Sequence, residues 1–340
     1  VRTLGHTVGY LESVGIEVTV VHPGIFRTMP LPGYREIRIA LFPGRILHQI
    51  MSDSDANAIH IATEGPLGWA ARRYCLRRGL PFTTTYHTQF PEYVNLRTGL
   101  PLSFGYSIVR RFHKPARNTF VATQSMEDRL REKGFEHLRR WGRGVDTDLF
   151  RPGVSKGHYI EGERPVAVFI GRVAIEKNIR AFLDMPFNGT RVVIGDGPDK
   201  KMLQEDYPDV KFAGYKTGKE LAGHIADADV MVFPSKTETF GVVMLESMAC
   251  GVPVAAYPVT GPVDVIQNGV NGCVDEDLQV AVKAALEVDA RSCRRFAEKF
   301  SWENSANQFL GGLAIFDRSV AVDGDGEKVL QAEVTKSSSC

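Results

Sequence analysis

Paired cysteine is the first thing this sequence lacks. Its five cysteines, Cys75, Cys250, Cys273, Cys293 and Cys340, are scattered over 340 residues with no CxxC and no metal-ligand spacing. An odd, unpaired set argues against a disulfide framework and a zinc site, and for a reducing compartment. There is no run of about 18 apolar residues, so no membrane-spanning helix is expected. No signal-peptide pattern opens the chain, and a cytoplasmic protein is expected. Cys340 is the last residue, which excludes a prenylation box built on it. A strong charge of one sign is also missing, with 41 Lys and Arg against 40 Asp and Glu. No nucleic-acid recognition motif accompanies the charge, so nucleic acid is not expected as a partner.

What is present is an ordinary globular composition, 43% hydrophobic and 24% charged. At about 100–200 residues per domain, the length predicts two domains, each large enough for its own core. The charge is uneven. Residues 1–150 hold 20 Lys and Arg against 13 Asp and Glu, and the remainder holds 21 against 27. "RRYCLRR" (72–78) and "RRFHKPAR" (110–117) mix arginine with apolar or aromatic residues. Such patches suit an anionic membrane surface or phosphates, and equally a solvated helix face.

Strand-like runs alternate with helical ones. In the first half, residues 17–24, 58–68, 81–89 and 119–125 each read as a strand running into a loop, with amphipathic helices at 68–78 and 126–134. The pattern resumes at 165–173, 191–198, 210–215, 229–235 and 253–259. Alternation twice over predicts an α/β protein with two doubly wound, Rossmann-like sheets. Residues 148–165, rich in proline, glycine and charge, read as the connection. The expected division is therefore a first domain over 1–150, a linker over 151–165 and a second domain over 166–300. Residues 320–340 are polar and expected to be disordered. The chain opens on a helical stretch, "VRTLGHTVGYLESVG", where a doubly wound domain ordinarily opens on a strand. The first strand and the glycine-bearing loop after it are thus expected to be missing from the first domain.

Open α/β sheets bind ligands beyond the carboxyl ends of their strands, and two such domains facing each other make a cleft. "GRVAIEKN" (171–178) follows a strand and offers Arg172 and Lys177, two cations suited to a diphosphate; the alternative is a surface ion pair with Glu176. Gly195 and Gly197 in "GDGP" allow close backbone approach to a ligand, or form a plain turn. "PSKTETFGVVMLESMACGVPV" carries Glu238 at the mouth of a helix and Glu246 about one turn inside it. The N–H groups of that helix start suit a phosphate or sugar oxygen. Glu246 reads either as a ribose ligand or as a buried carboxylate satisfied by backbone. His87, in "TTTYHTQFPEY", sits at a strand end in the first half and is either functional or structural. Glu64 lies in another such loop and carries no assigned role. "DSD" (53–55) precedes a strand and reads as turn chemistry, not a metal motif. Glu238 and Glu246, offset along one loop and helix, do not suit a glycosidase pair, which flanks one bond at about 5–9 Å.

Taken together, "GRVAIEKN", "GDGP", "FPSKTETFGVVMLESMACGVPV" and "GVDTDLFRP" resemble the retaining glycosyltransferases of family 4, over roughly residues 6–313. The resemblance implies the GT-B fold, with an acceptor domain, a donor domain and a final helix (301–317) packing back on the first domain. It implies that Arg172 and Lys177 neutralise the donor diphosphate and that Glu246 holds the ribose. Glu238 and His87 would touch the transferred sugar. Gly171, Gly195, Gly197 and the amides of Thr239, Phe240, Gly241 and Val242 would contact the donor, with Tyr215 and Lys216 near the base. No cofactor and no metal are implied, and the donor is GDP-mannose or a UDP-sugar. Transfer would proceed with retention, the departing phosphate taking the acceptor's proton. "ATEGPLG" and "YHTQFPEY" resemble phosphatidylinositol mannosyltransferases and sulfoquinovosyl- and glucuronosyl-diacylglycerol synthases. A membrane glycolipid acceptor and peripheral contact with an anionic membrane are expected on that basis. The alternative is an N-terminally shortened nucleotide-sugar-binding protein without transferase activity. A third option is a sugar phosphorylase on the same fold.

Overall fold

The computed structural model describes residues 2–31, 34–153 and 157–317. The polar stretch 320–340, expected to be disordered, lies outside them. The first half opens with the helix Arg2–Ser13, as its pattern predicts. An antiparallel hairpin follows, β1 (Thr28–Leu31) with β2 (Tyr34–Ala40), which the sequence pattern did not reveal. Then come four short parallel strands in the order β3 (His60–Ile61), β4 (Thr83–Thr85), β5 (Asn118–Val121) and β6 (Leu138–Arg140).

Residues 17–24, expected to form a strand, do not. The segment runs outside any ladder of the described residues, then closes in a 3-10 turn over Pro23–Ile25 that the His22 ring caps at 3.2 Å from the Gly24 N–H. Its alternating pattern is sound, but a strand exists only through a hydrogen-bonded neighbour. Here Val18, Val20 and Val21 line a cavity instead.

Threonine threads this first sheet. Every residue of β4 is buried, and each hydroxyl finds a polar partner. Thr84 meets Thr119 at 3.0 Å and the His113 ring at 2.8 Å. His60 lies between Thr83 (3.0 Å) and Thr85 (2.9 Å). Burial pushes the His60 pKa down to about 3, so the ring is neutral and serves as a two-ended hydrogen-bonding strut.

The second half holds β7 (Val166–Ile170), β8 (Thr190–Ile194), β9 (Lys211–Gly214), β10 (Val230–Phe233), β11 (Val254–Ala256) and β12 (Gly272–Val274). They form one parallel sheet in the order β12-β11-β10-β7-β8-β9. Strands β7 (VAVFI) and β10 (VMVF) are apolar at every position and wholly buried, as parallel strands covered on both faces must be. One apolar cluster covers each face.

The helix Trp302–Leu310 returns to the first sheet. Trp302 stacks on His6 at 4.3 Å, and the Trp141 indole donates to Ser305 Oγ at 3.1 Å. Phe309 packs on Trp141 and Phe120. Four cysteines, Cys75, Cys250, Cys273 and Cys293, are buried within the two halves. Burial and the nearby Asp289 push the Cys293 thiol up to about 12.

The connection before β7 is tied down by one carboxylate. Asp227, fully buried at the end of the helix Gly218–Asp227, accepts from the N–H groups of Gly157, Tyr159 and Ile160 at 2.6–2.8 Å and from Arg164 at 2.6 Å. Burial opposes its charge, but the three backbone N–H groups and Arg164 outweigh it and hold the pKa below the ordinary 3.8. Asp227→Ala leaves those donors unsatisfied and is expected to cost about 3 kcal/mol in urea unfolding. A lowered folded pKa means the contribution is complete above the unfolded value and is lost as pH falls through the folded one. The gap between wild type and Asp227→Ala should therefore narrow on titration from neutral pH into acid.

Candidate active site

In the six-stranded sheet the strand order reverses between β7 and β10, because β8 lies on one side of β7 and β10 on the other. A crevice opens at such a switch point, beyond the carboxyl ends of the strands. The loops after β7 and β10 carry "GRVAIEKN" and "SKTETFG", and the structure stitches them together. Asn178 adopts the left-handed conformation that asparagine tolerates, and its amide donates to the Pro234 carbonyl at 3.0 Å. Thr237 Oγ1 donates to the Glu176 carbonyl at 3.3 Å. Lys177 Nζ meets Glu238 Oε2 at 2.7 Å.

That ion pair is mostly sheltered from water, the side chains being 19% and 16% exposed. Burial opposes the charge on Lys177, but the Glu238 carboxylate overrides it and raises the pKa. For Glu238 too, burial is outweighed, by Lys177 and by the Thr239 and Phe240 N–H groups, and its pKa is lowered. Both groups are charged at neutral pH. Arg172 lies 3.9 Å from Glu176, whose side chain is only 3% exposed, so the pair is internal and not the surface contact weighed from sequence.

The helix Val242–Ala249 starts at Gly241, whose φ of +79° places it in the left-handed region, with no side chain capping the first turn. A Cβ there would press on the Phe233 ring at 3.0 Å, so glycine is needed for both conformation and space. Gly195 and Gly197 have a local explanation as well: a Cβ on them would strike the Gly171 and Val173 carbonyls at 1.8 and 2.2 Å. The close approach they allow is between the β8 loop and the β7 loop.

A cavity of about 2030 Å³ joins these loops to the first half. It is lined by Gly171, Arg172, Lys177, Glu238, Thr239, Phe240, Gly241 and Val242 on one side and by Glu64, His87 and Arg143 on the other. Gly195, Gly197, Tyr215, Lys216 and Glu246 do not line it. Glu246 is buried on the second turn of its helix. Tyr215 is 70% exposed, and Lys216 pairs with Glu220. Glu64 lies 3.1 Å from His113 Nε2.

The seam between the halves is polar. Gln89 Nε2 donates to the Glu238 carbonyl at 2.6 Å, and Thr239 Oγ1 to the His87 carbonyl at 2.9 Å. The Ser125 N–H donates to Asp264 at 2.9 Å. His87 is neutral, its pKa held well below 6.5 by burial and then by Arg143. Arg143 itself is buried and its pKa is pushed down to about 10, still high enough to keep the charge.

Sequence reasoning assigned no role to Gln89, Ser125, Asp264 or Arg143. A signal existed for two of them. Gln89 follows His87 by two residues in the same strand-end loop, and Arg143 sits in "WGRGVDTDLF" between two glycines.

Two facing parallel α/β sheets, with a cationic loop and an open helix start at the switch point, define a class of proteins that handle nucleotide-linked phosphate ligands. Residues 1–149 match Glycosyltransferase Family 4, and residues 164–288 match Glycosyl transferases group 1. The chain belongs to this glycosyltransferase family. Among its relatives is a GDP-mannose-dependent alpha-mannosyltransferase of Corynebacterium glutamicum, 30% identical over 248 residues, or 70% of this chain and 60% of the relative. A sulfoquinovosyl transferase of Arabidopsis thaliana is 29% identical over 339 residues, or 86% and 66%. The chain thus spans roughly three fifths to two thirds of the length of these two relatives. Among solved structures, sucrose-phosphate synthase from Thermosynechococcus elongatus shares the fold with a TM-score of 0.71, 20% identity and 91% of each chain covered. Anabaena HepE in complex with UDP-glucose gives 0.66 at 18% identity, over 89% of this chain and 87% of its own. At those identities the likeness is of fold, the GT-B arrangement.

Breaking the buried pair tests the site directly. Lys177→Met or Glu238→Gln alone strands one buried charge or its partner, and each is expected to lose about 3 kcal/mol in urea unfolding. The double variant should lose less than the sum, with a coupling of about 1–3 kcal/mol.

Proposed function

We propose that this protein is a retaining glycosyltransferase that needs no metal and moves a hexose from a nucleotide-diphosphate sugar, GDP-mannose or a UDP-hexose, to a membrane glycolipid. The observation that carries the reading is the meeting, across one cleft, of Arg172, Lys177 and Glu238 from the switch-point loops with His87 from the other sheet. A diphosphate at the β7 loop meets a lysine already charged, and the uncapped start of the helix Val242–Ala249 adds oriented N–H groups. In this reading Arg172 and Lys177 stabilise the leaving diphosphate. Glu238 and His87 orient the transferred sugar; the ribose role of Glu246 and the base roles of Tyr215 and Lys216 rest on the family resemblance, since these three stand outside the cavity. The second half is the donor domain and the first half, with the helix Trp302–Leu310, the acceptor domain. The mannosyl- and sulfoquinovosyl transferases among the relatives support a hexose donor.

The lipid acceptor rests on an apolar wall. Val94, Leu100, Phe104 and Ile108, from the helices Phe90–Thr98 and Leu102–His113 and the turn between them, are exposed and also line the cleft. Exposed apolar surface running into a site suits an amphiphilic ligand. Arg110 and Arg111 stand on the last turn of the same helix, where an anionic surface would meet them. No helix of the described residues is long and apolar enough to cross a membrane.

Two measurements test this. GDP or UDP at 100 times its dissociation constant should stabilise the chain by about 2.7 kcal/mol in thermal unfolding, and Glu246→Ala should lose that shift. Stabilisation without sugar transfer from any donor to lipid would leave the binding-protein reading in its place. The chain should float with anionic vesicles at low salt, and Phe104→Asp with Ile108→Asp should abolish flotation. Equal flotation of wild type and variant would remove the membrane role of that wall.

A further inference from the structure

Arg143 is a buried cation of the cleft that the transfer scheme does not use. It stands just after β6, and its guanidinium is held from three directions. Nη1 donates to the carbonyls of Trp141 at 2.6 Å and Gly142 at 3.0 Å. The group lies over the Trp141 ring at 4.8 Å. Nη2 faces His87 Nδ1 at 3.5 Å. Among the described residues no carboxylate lies within ion-pair distance of it, and Glu238 acts on it only from further away.

A guanidinium has donors and no acceptor, so the nitrogen that faces it must present a lone pair. His87 Nδ1 is therefore unprotonated, and the proton of the neutral ring is on Nε2. That nitrogen is buried and has no hydrogen-bond partner among the described residues. An unsatisfied buried donor requires an explanation, and His87 lines the cleft, so the missing acceptor belongs to the molecule that fills it.

We infer that Arg143 is a positioning residue for His87: it fixes the imidazole as the tautomer with its proton on Nε2 and so makes His87 a hydrogen-bond donor to an oxygen of the sugar being transferred. The inference rests on the glycosyl-transfer reading for the identity of that oxygen, but not for the tautomer. Among the described residues, Arg143 from the turn after β6, His60 from β3 and His113 from the Leu102–His113 helix are the titratable groups that act on the ring, and the Trp141 edge lies 5.7 Å away. None of these is an acid. A second positive charge beside Arg143 is disfavoured, which bars His87 from a role that ends with it protonated.

The test has one arm that needs no substrate. Ring nitrogen NMR of the full chain labelled at histidine, with His87 assigned by its loss in His87→Gln, should show Nδ1 as the unprotonated nitrogen from pH 6 to pH 8. A proton on Nδ1, or titration of this ring within that range, would overturn the inference whatever the activity. In Arg143→Met the signals should shift toward a mixture of tautomers. Should that variant fold poorly, Arg143→Lys retains a donor and should keep the wild-type pattern. The second arm reads kcat/KM for sugar transfer. The glutamine amide nitrogen takes the place of Nε2, so His87→Gln should stay within about tenfold of wild type, whereas His87→Asn should lose on the order of 100-fold. Arg143→Met should lower transfer in the wild type and add nothing in the His87→Gln background, where no tautomer remains to be fixed. Equal, additive losses in both backgrounds would make Arg143 merely structural. If the wild type transfers no sugar, the glycosyl-transfer reading fails while the spectrum still decides the tautomer.

Discussion

The site depends on one buried ion pair. Lys177 and Glu238 come from loops 61 residues apart in sequence and meet at 2.7 Å where the order of the second sheet reverses. Removing two such charges from water is costly unless each finds further partners. Glu238 does: one carboxylate oxygen takes Lys177, the other takes the Thr239 N–H at 2.9 Å, and its backbone carbonyl takes Gln89 and Thr260. Gln89 belongs to the other half. A single residue therefore sets the shape of the β10 loop, its distance from the β7 loop and the seat of the opposite sheet.

The two sheets reach rigidity by different means. The second is a block of apolar strands, with both faces covered by aliphatic and aromatic side chains. The first is threaded with polar groups, where buried threonine hydroxyls, the neutral ring of His60 and the ring of His113 bond one another across β3, β4 and β5. Buried polar networks fix geometry when every member is satisfied. Beside this network, His87 Nε2 is a buried ring nitrogen with no hydrogen-bond partner among the described residues.

How much of this was legible follows from how local each signal is. Strands β7 and β10 are continuous apolar runs and announce themselves. Strands β3, β6 and β12 have two or three residues each and owe their conformation to neighbours far along the chain, so only the first of them fell within an expected strand. Residues 17–24 show the converse, a strand pattern that gains no partner. In the site, Arg172, Lys177 and Glu238 were readable because short loops after apolar strands carry them. The glycines of "GDGP" were readable as special, but the backbone they accommodate, at Gly171 and Val173, lies in another loop. The glycines on either side of Arg143 mark a turn, but they do not place that turn in the cleft. The turn is fixed partly by Trp141, and that indole is anchored by Ser305, 164 residues later.

The buried cysteines give the molecule built-in reporters of its own opening. Cys75 lies in the core of the first sheet, while Cys250, Cys273 and Cys293 lie in the cores of the second. A thiol inside a closed core cannot reach an alkylating reagent, and only the thiolate reacts. Modification of each therefore waits on exposure of the surroundings that hold it. The order in which these four side chains become labelled is a clock with one hand in the first half and three in the second. It separates local loosening of either sheet from loss of the whole structure.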